Sequence, residues 1–161
     1  MKLLEEFVMT KTAKEHGFKL KAGQSPAFQT NSGTLVYLTD PKKEQICIYD
    51  IAHNLSHQAR YNGALDQFYS VAQHSVYVAE YMEAQGHDTN MCLKALLHDA
   101  HEAYLGDVVT PLKVLLPDYM VIEQNLDDVI CDKFKVPRGM PPELKEADKI
   151  IYATEVRDLR K

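Results

Sequence analysis

From Ile46 onward, apolar residues recur at intervals of three and four. In "ICIYDIAHNLSHQAR", Ile48, Ile51, Ala52 and Leu55 fall on one stripe. That spacing is the mark of an amphipathic helix with a single buried face. The pattern returns several times, each time with its own punctuation. Ser70 stands where a cap belongs before "VAQHSVYVAEYMEAQ", which stops at Gly86. Asp88 or Thr89 opens "NMCLKALLHDAHEAYL", expected as one helix ending before Gly106. "TPLKVLL" predicts a short helix with Thr110 as cap and Pro111 in its first turn. Another is expected from Pro117 to Phe134, and a last one from about Pro141, with Leu144, Ile151 and Val156 facing inward. Residues 2–16 predict a further amphipathic helix ending at Gly17. The breakers Gly23, Pro26, Gly33 and Pro41 crowd into residues 22–45, where "TLVYL" suits a short strand. The expectation is an all-α bundle with a short extended arm or hairpin near residues 24–45, one domain over residues 1–161.

Composition narrows the function classes. No apolar run reaches the roughly 18 residues a membrane span needs. The N-terminus lacks a small-residue cleavage site, so the cytoplasm is the expected address and no membrane partner is expected. Cys47, Cys92 and Cys131 are odd in number and form no CxxC, which argues against a disulfide framework. The net charge of -5 includes no long basic run, so no polynucleotide partner is expected. A small phosphorylated ligand needs only a few local cations and stays open.

The stretch "LLHDAHEAYLGD" places His98, Asp99 and Glu102 among Leu93, Leu96, Leu97, Ala100 and Tyr104. On a continuous helix, Glu102 would project between the directions of His98 and Asp99, one turn later. Buried charges are costly unless paired or bound to a metal. His74 lies between Val71 and Val78 on the preceding helix, and Asp148 lies three residues before Ile151 on the last. Together, His74, His98, Asp99 and Asp148 offer two nitrogens and two oxygens from three helices, a mixed set that suits several divalent metals. Taken singly, each has a plainer reading: a satisfied core histidine, a common His-Asp pair, a surface carboxylate. His53 and His57 also have ligand spacing, but no third ligand is evident, and packing with polar contacts is the expectation. His16 and His87 read as surface residues.

These four residues, in "VAQHSVYVAE", "LLHDAHEAYLGD" and "KEADKIIYATE", resemble the signature of the HD-domain phosphohydrolase superfamily. That superfamily is defined by His, His-Asp and Asp on separate helices around a divalent metal. "IYDIAHNLSHQARYNG", "FYSVAQHSV" and "TEVRDL" extend the resemblance to a short bacterial and phage branch, over roughly residues 30–159. The branch includes 5′-deoxynucleotidases and phage dATP triphosphohydrolases. The resemblance implies a divalent metal held by His74, His98, Asp99 and Asp148, with Zn, Co, Mn, Ni and Mg all open. It implies Glu102 in proton transfer and Asp107 in support of it. Arg60 and Lys113 would contact phosphate, and Tyr37 could stack on base or sugar. It implies a small nucleotide substrate and a homo-oligomer, dimer or hexamer.

The monophosphate-cleaving subfamily carries an Arg-Trp pair that packs on the sugar. This chain has no tryptophan, and Tyr61 follows Arg60. The arm "TNSGTLVYLTDP" is more similar to the dATP triphosphohydrolases. The expected activity is therefore release of triphosphate from a deoxynucleoside triphosphate, dATP foremost. A 5′-deoxynucleotidase is the alternative. A non-catalytic nucleotide-binding or signalling module is the reading from another class.

Overall fold

The computed structural model describes residues 25–160. It has seven α-helices and one small antiparallel sheet among the described residues, so the expected all-α fold with a short hairpin is borne out. The helix expected over residues 2–16, with His16, lies outside the described residues.

The hairpin comes first. Strands β1 (Ala27–Gln29) and β2 (Leu35–Tyr37) pair with Phe28 opposite Val36. Alternation turns Val36 into the core and leaves Leu35 and Tyr37 exposed. Gly33 takes a positive φ of 87° in the connecting turn. Asp50, in the first turn of helix α1 (Ile48–His57), anchors that turn. Its carboxylate accepts from the Ser32 backbone N–H at 2.9 Å and from the Ser32 hydroxyl at 2.8 Å.

Helix α2 (Val71–Ala84) is the central element and packs against α1, α3 (Thr89–Leu96) and α7 (Pro142–Leu159). Its start is fixed by a capping box. The Ser70 hydroxyl accepts from Gln73 N at 3.1 Å, and Gln73 Oε1 accepts from Ser70 N at 2.9 Å. Backbone bonds from Arg60 N to Tyr69 O and from Val71 N to Gln58 O zip the preceding loop shut, so Arg60 comes to the N-terminal end of α2. The remaining elements are α4 (Glu102–Leu105), α5 (Thr110–Lys113) and α6 (Pro117–Phe134).

Two apolar clusters flank α2. Ile51, Leu55, Val71, Leu97, Tyr104, Leu126 and Ile130 form the larger, with Phe28 edge-on to Tyr104. Val78, Met82, Ala95, Leu144 and Ala147 form the other. Lys94 is buried between α3 and α6, where Asp127 Oδ1 lies 3.3 Å from its ammonium. A buried lysine needs such a partner. The three cysteines are free, with Cys131 buried in the core. No helix among the described residues is long and apolar enough to cross a membrane.

Four local expectations are corrected. Of the stripe expected inward on α1, Ile51 and Leu55 are buried, but Ile48 is 40% exposed and Ala52 is exposed too. The segment from Thr89 to Leu105 is not one helix: α3 ends at Leu96, tight turns follow, and α4 begins at Glu102. Leu96, expected inward, is consequently 36% exposed. Thr110 is the first residue of α5 rather than its cap, which is Val109.

Asp50 gives a test of the hairpin anchor. Burial pushes its carboxyl upward, but the Ser32 hydroxyl and backbone N–H more than offset this and hold it below the usual range. The folded pKa is thus below the unfolded value of about 3.9, so the stabilisation is present above that pH and is lost as pH falls through the folded pKa. Asp50→Asn is expected to lower stability at pH 7 by about 1–3 kcal/mol. In urea denaturation, the gap between the two proteins should narrow as pH falls below about 4.

Candidate metal centre

His74 sits on the first turns of α2, His98 and Asp99 in the turn after α3, and Asp148 on α7. Three elements separated by long stretches of sequence thus meet at one point. His74 Nε2 lies 3.1 Å from Asp148 Oδ1 and 3.8 Å from Asp99 Oδ2. His98 Nε2 lies 3.1 Å from Asp99 Oδ2 and 3.9 Å from Asp148 Oδ1. Bonds of about 2.0–2.2 Å to a shared cation would set neighbouring donors roughly 3–3.6 Å apart, close to this spread. Ligand atoms of His74, His98 and Asp99 all lie within 4.8 Å of one another, and Asp148 closes the set from the more open side.

The chemistry of the donors is as telling as the spacing. His98 Nδ1 is 2.7 Å from Ala95 O. A carbonyl only accepts, so Nδ1 carries the proton and Nε2 presents a lone pair. His74 Nδ1 is 2.7 Å from Glu155 Oε1. Burial pushes the Glu155 carboxyl up, but hydrogen bonds from His74 and Tyr61 bring it down to about 2, so it is ionised and accepts. When its ring is neutral, His74 therefore has the same tautomer; burial pushes its pKa down, but the Asp148 and Glu155 carboxylates raise it on balance above the ordinary value. Both Nε2 atoms are buried and have no hydrogen-bond partner. Native interiors rarely leave such atoms unpartnered. Two buried Nε2 atoms aimed between two carboxylates call for a positive charge, a proton or a cation, and the set fits a divalent cation. His74 and His98 each bonding an acceptor through the far nitrogen is the arrangement that orients metal-bound imidazoles.

The break in the helix serves this geometry. In a continuous helix, Ala95 O would accept from the Asp99 amide. Here His98 N, at 3.4 Å, and the His98 ring both converge on it. The next amides reach back three residues: Ala100 to Leu97, Glu102 to Asp99, Ala103 to Ala100. In such 3-10 turns, residues three apart eclipse one another. Asp99 and Glu102, already neighbours at this spacing on an ideal helix, line the same cleft.

That cleft, of about 600 Å³, collects most of the expected site residues: Arg60, Asp99, Glu102, Asp107, Lys113 and Asp148. Arg60 Nη1 is 3.7 Å from Asp99 Oδ2. Glu102 is buried, its Oε2 has no partner, and burial followed by repulsion from Asp99 and Asp107 pushes its carboxyl up to about 9. Lys113 Nζ is 3.4 Å from Glu102 Oε1 and 2.6 Å from Glu123 Oε1. Tyr37 is not part of the cleft. It lies on the outward face of β2, the side opposite core-facing Val36. The rings of His53 and His57 lie 4.4 Å apart, tilted by 34°, on the exposed face of α1, in keeping with the expectation of packing and polar contacts.

Several residues of the site carried no assignment in the sequence reading. Gln58 clamps the "EAYLGD" segment: its Nε2 donates to Glu102 O at 2.8 Å, and its Oε1 accepts from Asp107 N at 3.1 Å. Glu123 holds Lys113 and His101. Tyr61 and Asn62 both take left-handed φ values, 56° and 53°, in a 3-10 turn from Arg60 to Gly63. This aims the Tyr61 hydroxyl at Glu155 and sets its ring 6.1 Å from Tyr152 at the cleft wall. Glu155 had one legible signal: it lies seven residues after Asp148, on the same face of α7.

A protein from Escherichia coli (strain K12), the uncharacterized protein YfdR, is 44% identical over 131 residues, spanning 81% of this chain and 71% of YfdR. The chain belongs to the YfdR family. A further uncharacterized relative, from Rhodobacter capsulatus, is 39% identical over 131 residues, spanning 78% of this chain and 67% of that protein. No family model matches the chain. The YfdR-family chain described here therefore presents a cluster able to hold a metal, reached from a polar cleft.

Two measurements check the centre. The chain should take up about one equivalent of divalent metal by elemental analysis. Asp99→Ala and His74→Ala should each lose it, because each leaves the remaining donors without a closed set. Metal content unchanged in both variants would exclude the assignment.

Proposed function

We propose that this protein is a divalent-metal-dependent phosphohydrolase of the HD-domain type, acting on a small deoxynucleotide. The observation that carries the reading is the pair of buried, unpartnered imidazole Nε2 atoms aimed between Asp99 and Asp148, two residues that line a cleft also holding Arg60 and Lys113. A bound divalent ion would supply Lewis acidity toward a phosphoryl oxygen and acidify a water molecule.

The chain's own residues divide the remaining work. Arg60 offers a planar fork to phosphate oxygens, and Lys113 offers a point charge. Both are at least half buried, where fixed cations act on developing charge more strongly than in water. Glu102 stands beside Asp99 in the cleft and is placed to hold or deliver a proton to the oxygen at which the phosphorus bond breaks. Gln58 fixes the backbone on both sides of this segment, which keeps Glu102 and Asp107 at a set separation.

Within that reaction class, the favoured substrate is a deoxynucleoside triphosphate, dATP foremost, cleaved to deoxynucleoside and triphosphate. One observation supports the 5′-deoxynucleotidase alternative. Tyr61, beside Arg60, presents its ring to the cleft next to Tyr152, where an aromatic face can pack on a sugar.

Incubation of the chain with dATP, dAMP, ATP and dGTP in several divalent ions, followed by product analysis, tests both. Triphosphate release supports the first reading and phosphate release from dAMP the second. No hydrolysis of any of them in a metal-loaded protein would favour a binding module. Glu102→Gln is expected to keep its metal and lose about 10²–10⁴-fold in turnover. Near-normal turnover would remove Glu102 from the chemistry.

A further inference from the structure

We infer that Glu155 is a positioning residue that sets the tautomer of His74 and, with the same carboxylate, holds the cleft residues Arg60 and Tyr61 in register with the metal ligands. The role of His74 as a ligand rests on the function proposed above. The tautomer does not.

Glu155 is 4% exposed and is the most heavily hydrogen-bonded side chain around the centre. Its two oxygens divide the work. Oε1 accepts from His74 Nδ1 at 2.7 Å and from the Tyr69 hydroxyl at 2.9 Å. Oε2 accepts from the Tyr61 hydroxyl at 2.6 Å and from Arg60 Nη2 at 3.2 Å. All four partners donate, and only an ionised carboxylate can accept from all of them. One oxygen therefore faces the metal histidine and the other faces the cleft. Because Asp148 and Glu155 stand two turns apart on α7, one rigid element supplies both a direct donor and the support of a second donor.

An amide at this position would be forced into a choice. With its oxygen toward His74, its NH2 group confronts the Arg60 guanidinium, which can only donate, and the Tyr61 hydroxyl would have to turn from donor to acceptor. With its NH2 toward His74, Nδ1 must become the acceptor, and the ring proton moves to Nε2, the atom aimed at Asp99 and Asp148. Either orientation damages one side of the arrangement. Tyr61→Phe removes one donor from the cleft side and leaves the Oε1–His74 bond in place.

The probe is Co²⁺ added to the full chain. Glu155→Gln is expected to weaken Co²⁺ binding about 10–100-fold in chelator competition, with a shifted visible absorption spectrum. Tyr61→Phe should leave Co²⁺ affinity within about threefold of the parent, since it spares the His74 contact. A Glu155→Gln protein that melts cooperatively yet binds Co²⁺ with parental affinity and spectrum overturns the proposal. So does a Tyr61→Phe protein weakened as much as Glu155→Gln, because the cleft side would then control the centre. A variant-free measurement guards against misfolding. Long-range ¹H–¹⁵N spectra of the metal-free parent, at a pH where the ring is neutral, should show the His74 proton on Nδ1. A proton on Nε2 overturns the proposal. If the parent binds no Co²⁺, the proposed function fails, whereas the tautomer measurement still decides the role of Glu155.

Discussion

An imidazole has two nitrogens and, when neutral, one proton; committing that proton to one side leaves a lone pair on the other. His74 and His98 both commit it at Nδ1, to a carboxylate and to a backbone carbonyl, and the rest of the site follows. The capping box at Ser70 sets where α2 begins, and so where His74 points. The turn after α3 gives His98 its carbonyl partner within its own segment. Helix α7 brings Asp148 and Glu155 up together from the opposite side. Each of these devices would be an ordinary detail of a helical protein. Together they leave two buried Nε2 atoms facing two acidic groups.

The charges around that point explain why such a pocket occurs in a net-acidic chain. Asp99, Asp107, Glu102 and Asp148 share one cleft, and burial followed by repulsion from Asp99 and Asp107 pushes the Glu102 carboxyl up. The repulsion is relieved by Arg60 against Asp99 and Glu155, and by Lys113 against Glu102 and Glu123. The cleft thus has anionic walls for a cation and two built-in cations for an anion.

The donor set was legible in the sequence because its residue types are unusual where they stand. A histidine on an apolar stripe and a His-Asp pair beside leucines conflict with local preference, and such conflicts mark sites. The supporting residues conflict with nothing. Glu155 and Gln58 occupy positions where polar residues are common, and their partners lie 81 and 44 residues away in the chain. Only the fold brings them together. The break between Leu96 and Glu102 was hidden for the opposite reason. Apolar spacing there suits an unbroken helix, and the contrary signal is a single ring-to-carbonyl bond that no periodicity encodes. Tyr37 stands outside the cleft, and the sequence does not say so, because an aromatic residue in a strand does not reveal which face it takes until its core-facing neighbour Val36 is known.

The left-handed turn at Tyr61 and Asn62 has a thermodynamic meaning for any ligand. Holding two such residues in this region costs on the order of 1 kcal/mol apiece, less for asparagine, and the chain meets that cost when it folds. The zipped ends of the loop and the grip of Glu155 then leave Arg60 and Tyr61 little freedom to surrender. A molecule entering the cleft finds its guanidinium and aromatic wall already standing, so the ordering penalty of recognition falls on the incoming molecule alone.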